Sequence, residues 1–226
     1  MSVEFEEIND NEGLRDFAGL SIAPYPLTLL CHMQVTATGS GTQRNLLIAG
    51  PNTMLFSIWS NAIDIRVQAR DESARLSSPS TDLISNYTAG QWYAAALVME
   101  DATTYSTYID GSQVEGGATW PNSFDLTGSP SNLSALYIGS WGGSQRSDSR
   151  MGHVAIWSDA LDQDQCEALT AGASPLLHPN SLEFYWQAMS SVLGVTVDSL
   201  TTLKQGDAAE NADLVLNDNP QIIFPE

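Results

Sequence analysis

Eight lysines and arginines against 27 aspartates and glutamates give this 226-residue chain a formal net charge of −19, and Lys204 is its only lysine. That balance excludes attraction to a phosphate backbone or to anionic lipid, since both need clustered cations. The length suits one all-β domain with a full core, and the acidity reads as solubility through self-repulsion.

From the N-terminus, Met1 to Asp16 is acidic and lacks the basic start and apolar run of a secretory signal. No later apolar stretch is long enough to span a bilayer, so a soluble product made in the cytosol is expected. Between Leu29 and Ala37 the residues Leu29, Cys31, Met33, Val35 and Ala37 alternate with Leu30, His32, Gln34 and Thr36. The set Ile63, Ile65, Val67, Ala69 alternates in the same way with Asp64, Arg66, Gln68, Arg70. Alternation of period two is the signature of a strand with one buried face, and one wet face per strand points to antiparallel sheets. Apolar runs at Leu46 to Ala49, Met54 to Trp59 and Leu182 to Ala188, parted by Gly, Pro, Asn and Ser clusters, add further short strands. Many short strands with frequent turns predict a two-sheet antiparallel sandwich.

The densest signals lie between Gln91 and Gly172. Trp92 to Met99 and Thr103 to Ile109 read as strands, and Asp110-Gly111 reads as a type I′ hairpin turn folding the chain back onto Ser112 to Val114. Both central positions of that turn need positive φ, which Asp and Gly tolerate. The Pro-, Gly-, Ser- and Asn-rich stretch from Trp120 to Asn132 is expected to be a mobile edge, and Leu136 to Ser140 and Met151 to Trp157 are further strands. Asp162 followed by Gln165 is a capping-box signature, with Leu161 placed to staple onto Cys166 and Gly172 to close the helix. This helix is expected over one end of the sandwich. Cys31 and Cys166 fall in a strand and on a helix face, which suits buried free thiols better than a disulfide. The organisation that follows is an N-terminal arm over residues 1–24, a core domain over 25–189 and a tail over 190–226 that packs on the domain or on a neighbour.

Several of these pieces, in this order, resemble a concanavalin A-like jelly roll of the laminin-G or pentraxin-like type. They are Gly90-Gln91-Trp92-Tyr93, Tyr105 to Gly111, Leu136-Tyr137-Ile138-Gly139, and Gly152 to Trp157 leading into Asp159-Ala160-Leu161. Ala171 to Leu177 with Leu182 to Trp186 is similar to a continuation in small laminin-G-like proteins of phages and marine bacteria. The resemblance implies a two-sheet jelly roll, often with calcium at one edge and often binding glycans or proteins through rim loops. Calcium is therefore a candidate ion, although its ligands do not match residue by residue. Asp110, Asp125 and Asp148 are merely aspartates in loops.

Catalysis finds little support. The laminarinase-like members carry Glu-x-Asp-x-x-Glu on one strand, whereas the nearest text here, Glu7 to Glu12, has Asn9 where the aspartate belongs. Glu100 and Asp101 are adjacent and so point to opposite sides. His32, Gln34, Arg66 and Tyr108 could furnish a lyase-like polar face, but polar residues on a wet sheet face arise without catalysis. No nucleophile elbow, phosphate loop or clustered His/Cys pattern is present. Among the six tryptophans, Trp92, Trp157 and Trp186 read as core. Trp59, Trp120 and Trp141 lie at strand ends or in loops where an indole could stack on a sugar or anchor a partner, with Arg146 and Arg150 as nearby donors. The expectation is a non-enzymatic structural or attachment protein, a decoration or surface protein of a phage virion whose partners are other virion proteins or further copies of itself. The alternatives are a calcium-dependent glycan-binding adhesin and, third, a polysaccharide-cleaving enzyme.

Overall fold

The computed structural model describes residues 3–5, 14–15, 21–35, 43–50, 55–61, 63–70, 80–119, 132–139, 149–187 and 202–203. Its strands are β1 (Val3–Phe5), β2 (Leu14–Arg15), β3 (Leu27–Val35), β4 (Gln43–Ala49), β5 (Leu55–Ser60), β6 (Asp64–Arg70) and β7 (Ser80–Ser85). There follow β8 (Trp92–Met99), β9 (Thr104–Ile109), β10 (Ser112–Thr119), β11 (Ala135–Ile138), β12 (Ser149–Trp157), β13 (Leu182–Gln187) and β14 (Thr202–Leu203), with, among the described residues, one α-helix, α1 (Gln163–Thr170), and a 3-10 turn at Pro175–Leu177. They form two sheets in which every pairing is antiparallel. The first runs β10-β9-β8-β3-β12-β13-β14, with β1 also pairing β12, and the second runs β2-β11-β4-β5-β6-β7. This is the all-β, antiparallel two-sheet sandwich that the alternating patterns predict.

The inward sets of both sheets meet in one core. Leu29, Cys31, Met33 and Val35 of β3 pack in the same cluster as Phe56 and Ile58 of β5, Ile65, Val67 and Ala69 of β6, and Leu136 and Ile138 of β11. Burying a large apolar side chain in such a cluster contributes roughly 1.5–3 kcal/mol, and this interface is where most of the fold's stability arises. A second cluster lies on the outer face of the first sheet. There Leu30, Ala96, Val98, Tyr108, Ala155 and Trp157 pack beneath Leu161, Cys166 and Leu169 of the helical segment. Helix α1 thus covers a sheet face, not an end of the sandwich as expected. The reason is that β3, β8 and β12 carry apolar residues on both faces, and the outer set needs a cover. Cys31 and Cys166 are buried free thiols in different clusters, one inside the sandwich and one beneath the helix. Burial pushes both thiols up, Cys166 to about 12.

Local signals hold where they were strongest. Asp110 and Gly111 have φ of 47° and 77°, both positive as a type I′ turn requires. Asp162 accepts a hydrogen bond from Gln165 N at 2.9 Å while Gln165 Oε1 accepts one from Asp162 N at 2.9 Å, completing the capping box. Thr28 ties the helix entry to β3, because its Oγ1 donates to Asp159 O at 2.7 Å and accepts from Leu161 N at 3.1 Å. Ile63, placed by sequence with the inward set, instead precedes the strand in a turn and is exposed. There Asn61 Oδ1 accepts from the N–H groups of Ile63 and Asp64. The Trp120 to Asn132 stretch lies outside the described residues apart from Asn132.

Candidate functional site

The two outer faces of the sandwich carry different chemistry. On the second sheet, Trp59 of β5 stands directly across from Arg66 of β6, and the guanidinium lies 5.5 Å from the indole centroid. Arg66 is held in turn by Asp64, which accepts from Nη2 at 2.9 Å, and by Asp82 of β7, 2.6 Å from Nε in an ion pair off hydrogen-bond alignment. Trp59 is 9% exposed. It is a packed element of a braced aromatic–cation cluster and presents little surface.

On the first sheet, among the described residues, the outer face beyond α1 leaves Trp92 and Arg150 exposed. Trp92 begins β8 and is 42% exposed, which corrects its assignment to the core. Its strand is apolar throughout, so period-two reading could not say which outward position the helix leaves uncovered. Gln34 of β3 pairs with Trp92, and Arg150 of β12 pairs with Gln34, so the three form one cross-strand row. Arg150 Nη1 donates to Gln34 Oε1 at 3.4 Å, and Gln34 Nε2 donates to Gly90 O at 2.5 Å.

Inward of that row lies a polar knot beneath the last turn of α1. His32 Nε2 is 3.2 Å from Leu169 O, and His153 Nδ1 is 2.9 Å from the Tyr185 hydroxyl. The two imidazoles meet edge to face with centroids 5.3 Å apart, and His153 stacks on Tyr185. Burial, then the neighbouring His153, lowers the pKa of His32 to about 4, against the raising effect of its bond to Leu169. Burial lowers His153 as well and pushes the Tyr185 phenol up to about 12. All three are neutral at neutral pH. The knot sits at a bulge, where Gly152 and His153 together lie between the Met151–Met33 and Val154–Cys31 pairs.

A shallow cleft of about 440 Å³ opens at the other end of α1, lined by Glu100, Ser106, Tyr108, Gln113, Asp162 and neighbouring residues. Its carboxylates serve structure: Glu100 Oε1 accepts from Ser106 Oγ at 2.7 Å, and Asp162 caps the helix. Asp101 closes the turn into β9 by accepting from the N–H groups of Thr103 and Thr104, bonds that hold its carboxyl below the usual range. Asp110 accepts from Ala94 N at 2.8 Å, and burial raises its pKa.

The rim expected from sequence is divided by the fold. Trp59 and Arg150 lie on the outer faces of different sheets, and Trp120, Trp141 and Arg146 lie outside the described residues. Nor do His32, Gln34, Arg66 and Tyr108 make one constellation, since Arg66 is on the second sheet and Tyr108 lies beneath the helix. For calcium, Asp125 and Asp148 lie outside the described residues, and Asp110 spends an oxygen on the N–H of Ala94 in β8. Among the described residues no three His, Cys, Asp or Glu side chains gather to hold a metal ion, so they do not fit the calcium expectation.

A two-layer antiparallel sandwich with a helix on one face is a jelly-roll class of architecture. The chain belongs to the concanavalin A-like lectin/glucanases superfamily, whose laminin-G profile matches residues 14–166. A search of curated proteins finds no match. Among solved structures, a candidate carbohydrate-binding protein from Bacteroides ovatus aligns with a TM-score of 0.58 at 14% identity, over 90% of this chain and 59% of that one. The heptameric SAP-like pentraxin of Limulus polyphemus aligns with a TM-score of 0.55 at 16% identity, over 75% and 81%. Trypanosoma rangeli sialidase in complex with sialic acid aligns at 0.50 and 18%, over 75% of this chain and only 28% of the enzyme. At such identities the likeness is one of fold.

Proposed function

We propose that this protein is a non-enzymatic, lectin-like attachment module that binds carbohydrate on an open sheet face. The observation that carries the reading is an indole exposed on the outer face of a rigid sheet, with amide and guanidinium groups beside it in register. A sugar presents an apolar C–H face edged by hydroxyls, and aromatic surface with adjacent planar donors is the complement to it. The structural employment of Asp64, Asp82, Glu100, Asp101, Asp110 and Asp162 supports a binding role over glycoside hydrolysis, which needs two carboxylates flanking one bond.

The test is a glycan array probed with and without calcium, together with an assay for reducing ends released from the same glycans. Binding to a defined subset with no release is expected. Release of reducing ends would transfer the protein to the enzymes. The resemblance to small phage proteins extends the proposal to a virion surface, where such a module would attach the particle to a glycan coat or to neighbouring copies. Co-sedimentation with intact particles tests that placement.

A further inference from the structure

Resting on the glycan-binding reading, the geometry points to the row Trp92, Gln34 and Arg150 as the sugar site, taking a two-residue segment of a polysaccharide. Trp92 does not stand up from its sheet. A Cβ built on Gly152, two strands away, would lie 3.4 Å from the indole Cζ3, 3.6 Å from the Cβ of His32 and 3.7 Å from the indole Cη2. The indole therefore reaches across β3, with its far ring over the backbone at Gly152 and its free side in solvent. An indole that crosses its sheet and stays 42% exposed offers surface on which a pyranose can stack. Because it is already ordered, stacking on it costs little conformational entropy.

The donors lie alongside. Gln34 spends one amide hydrogen on Gly90 O and keeps another, while its carbonyl accepts from Arg150. Arg150 is exposed, with Glu4 of β1 directly across from it in the sheet, and its planar guanidinium stands beside the hydroxyls of the second sugar. Neighbouring strands are about 4.8 Å apart, so a ring stacked where the indole crosses β3 lies about one sugar repeat from Arg150 on β12, which places the second sugar there.

The strongest array ligand is titrated as its mono-, di- and trisaccharide against wild type, Trp92→Ala, Arg150→Ala and Gly152→Val. Affinity is expected to rise about tenfold or more from one ring to two and little from two to three. Trp92→Ala is expected to lose at least roughly tenfold while keeping a cooperative unfolding transition, since the residue is 42% exposed and lies outside both buried core clusters. Gly152→Val, which adds bulk under the ring and keeps the indole, is expected to lose affinity too, and Arg150→Ala only on the longer ligands. Undiminished binding by Trp92→Ala overturns this site and leaves the glycan reading standing. A wild type that binds no array glycan overturns both, and equal affinity for one ring and two overturns the two-residue assignment.

Discussion

Acidification should loosen this protein through His32, and the size of the effect follows from where the ring sits. The imidazole lies between β3 and the last turn of α1, bonded to Leu169 O and facing His153, and its pKa falls from the ordinary 6.5 to about 4. The native state thus refuses a proton that the unfolded chain accepts. Above pH 6.5 neither state is protonated and nothing is lost. As pH falls through 6.5 the unfolded state gains about 1.4 kcal/mol per pH unit, until the native ring also titrates near 4. The gap of about 2.5 pH units amounts to roughly 3 kcal/mol in full, and to about 2 kcal/mol at pH 5. His153, also lowered, acts in the same direction. The assay is urea unfolding of wild type and His32→Gln at about pH 7.5, 6 and 5. Carboxylate titration is common to both proteins and cancels in the difference. Wild type should lose about 2 kcal/mol more than the variant between the highest and lowest pH. Parallel pH curves for the two proteins would refute the buried, neutral imidazole.

Other consequences are simpler to check. Thr28→Val keeps the shape of a fully buried side chain but orphans Asp159 O and Leu161 N, and should cost about 1–3 kcal/mol in urea unfolding. Asp162→Ala removes the helix cap and should cost about 1 kcal/mol, with the amides of α1 exchanging faster with deuterium. Gly111→Ala combines a positive φ with a new Cβ only 3.1 Å from that of Ala171, so lowered thermal stability is expected at both counts. Cys31 and Cys166 should resist an aromatic disulfide reagent in native buffer and react once the chain is unfolded in urea, because both are buried and held protonated.

Much of the scaffold was legible because its causes are local. Asp110-Gly111 can hardly do anything but turn, Asp162 with Gln165 caps a helix wherever it sits, and the alternation in β6 assigns Ile65, Val67 and Ala69 inward without reference to any neighbour. Strands β7, β1, β2 and β14 were not foreseen. Ser80–Ser85 has weak strand character of its own and is ordered by pairing along the edge of β6, a long-range cause.

The candidate site divides along the same line. Arg150 and Gln34 were visible as polar residues, but their meeting with Trp92 depends on which strands become neighbours, and β12 lies next to β3 across more than a hundred residues of chain. Trp92 itself was misread because Trp92–Met99 is apolar on both faces, one side turned to the sandwich core and the other to α1. An eight-residue helix is only about 12 Å long and cannot roof the whole strand. By itself, then, the sequence determined the turns, the cap and the inward face of each alternating strand, since these rest on bonds and periodicities within a few residues. Only the tertiary structure decided how far the helix reaches over its sheet, and with it that Trp92 lies uncovered while Trp59 is packed away.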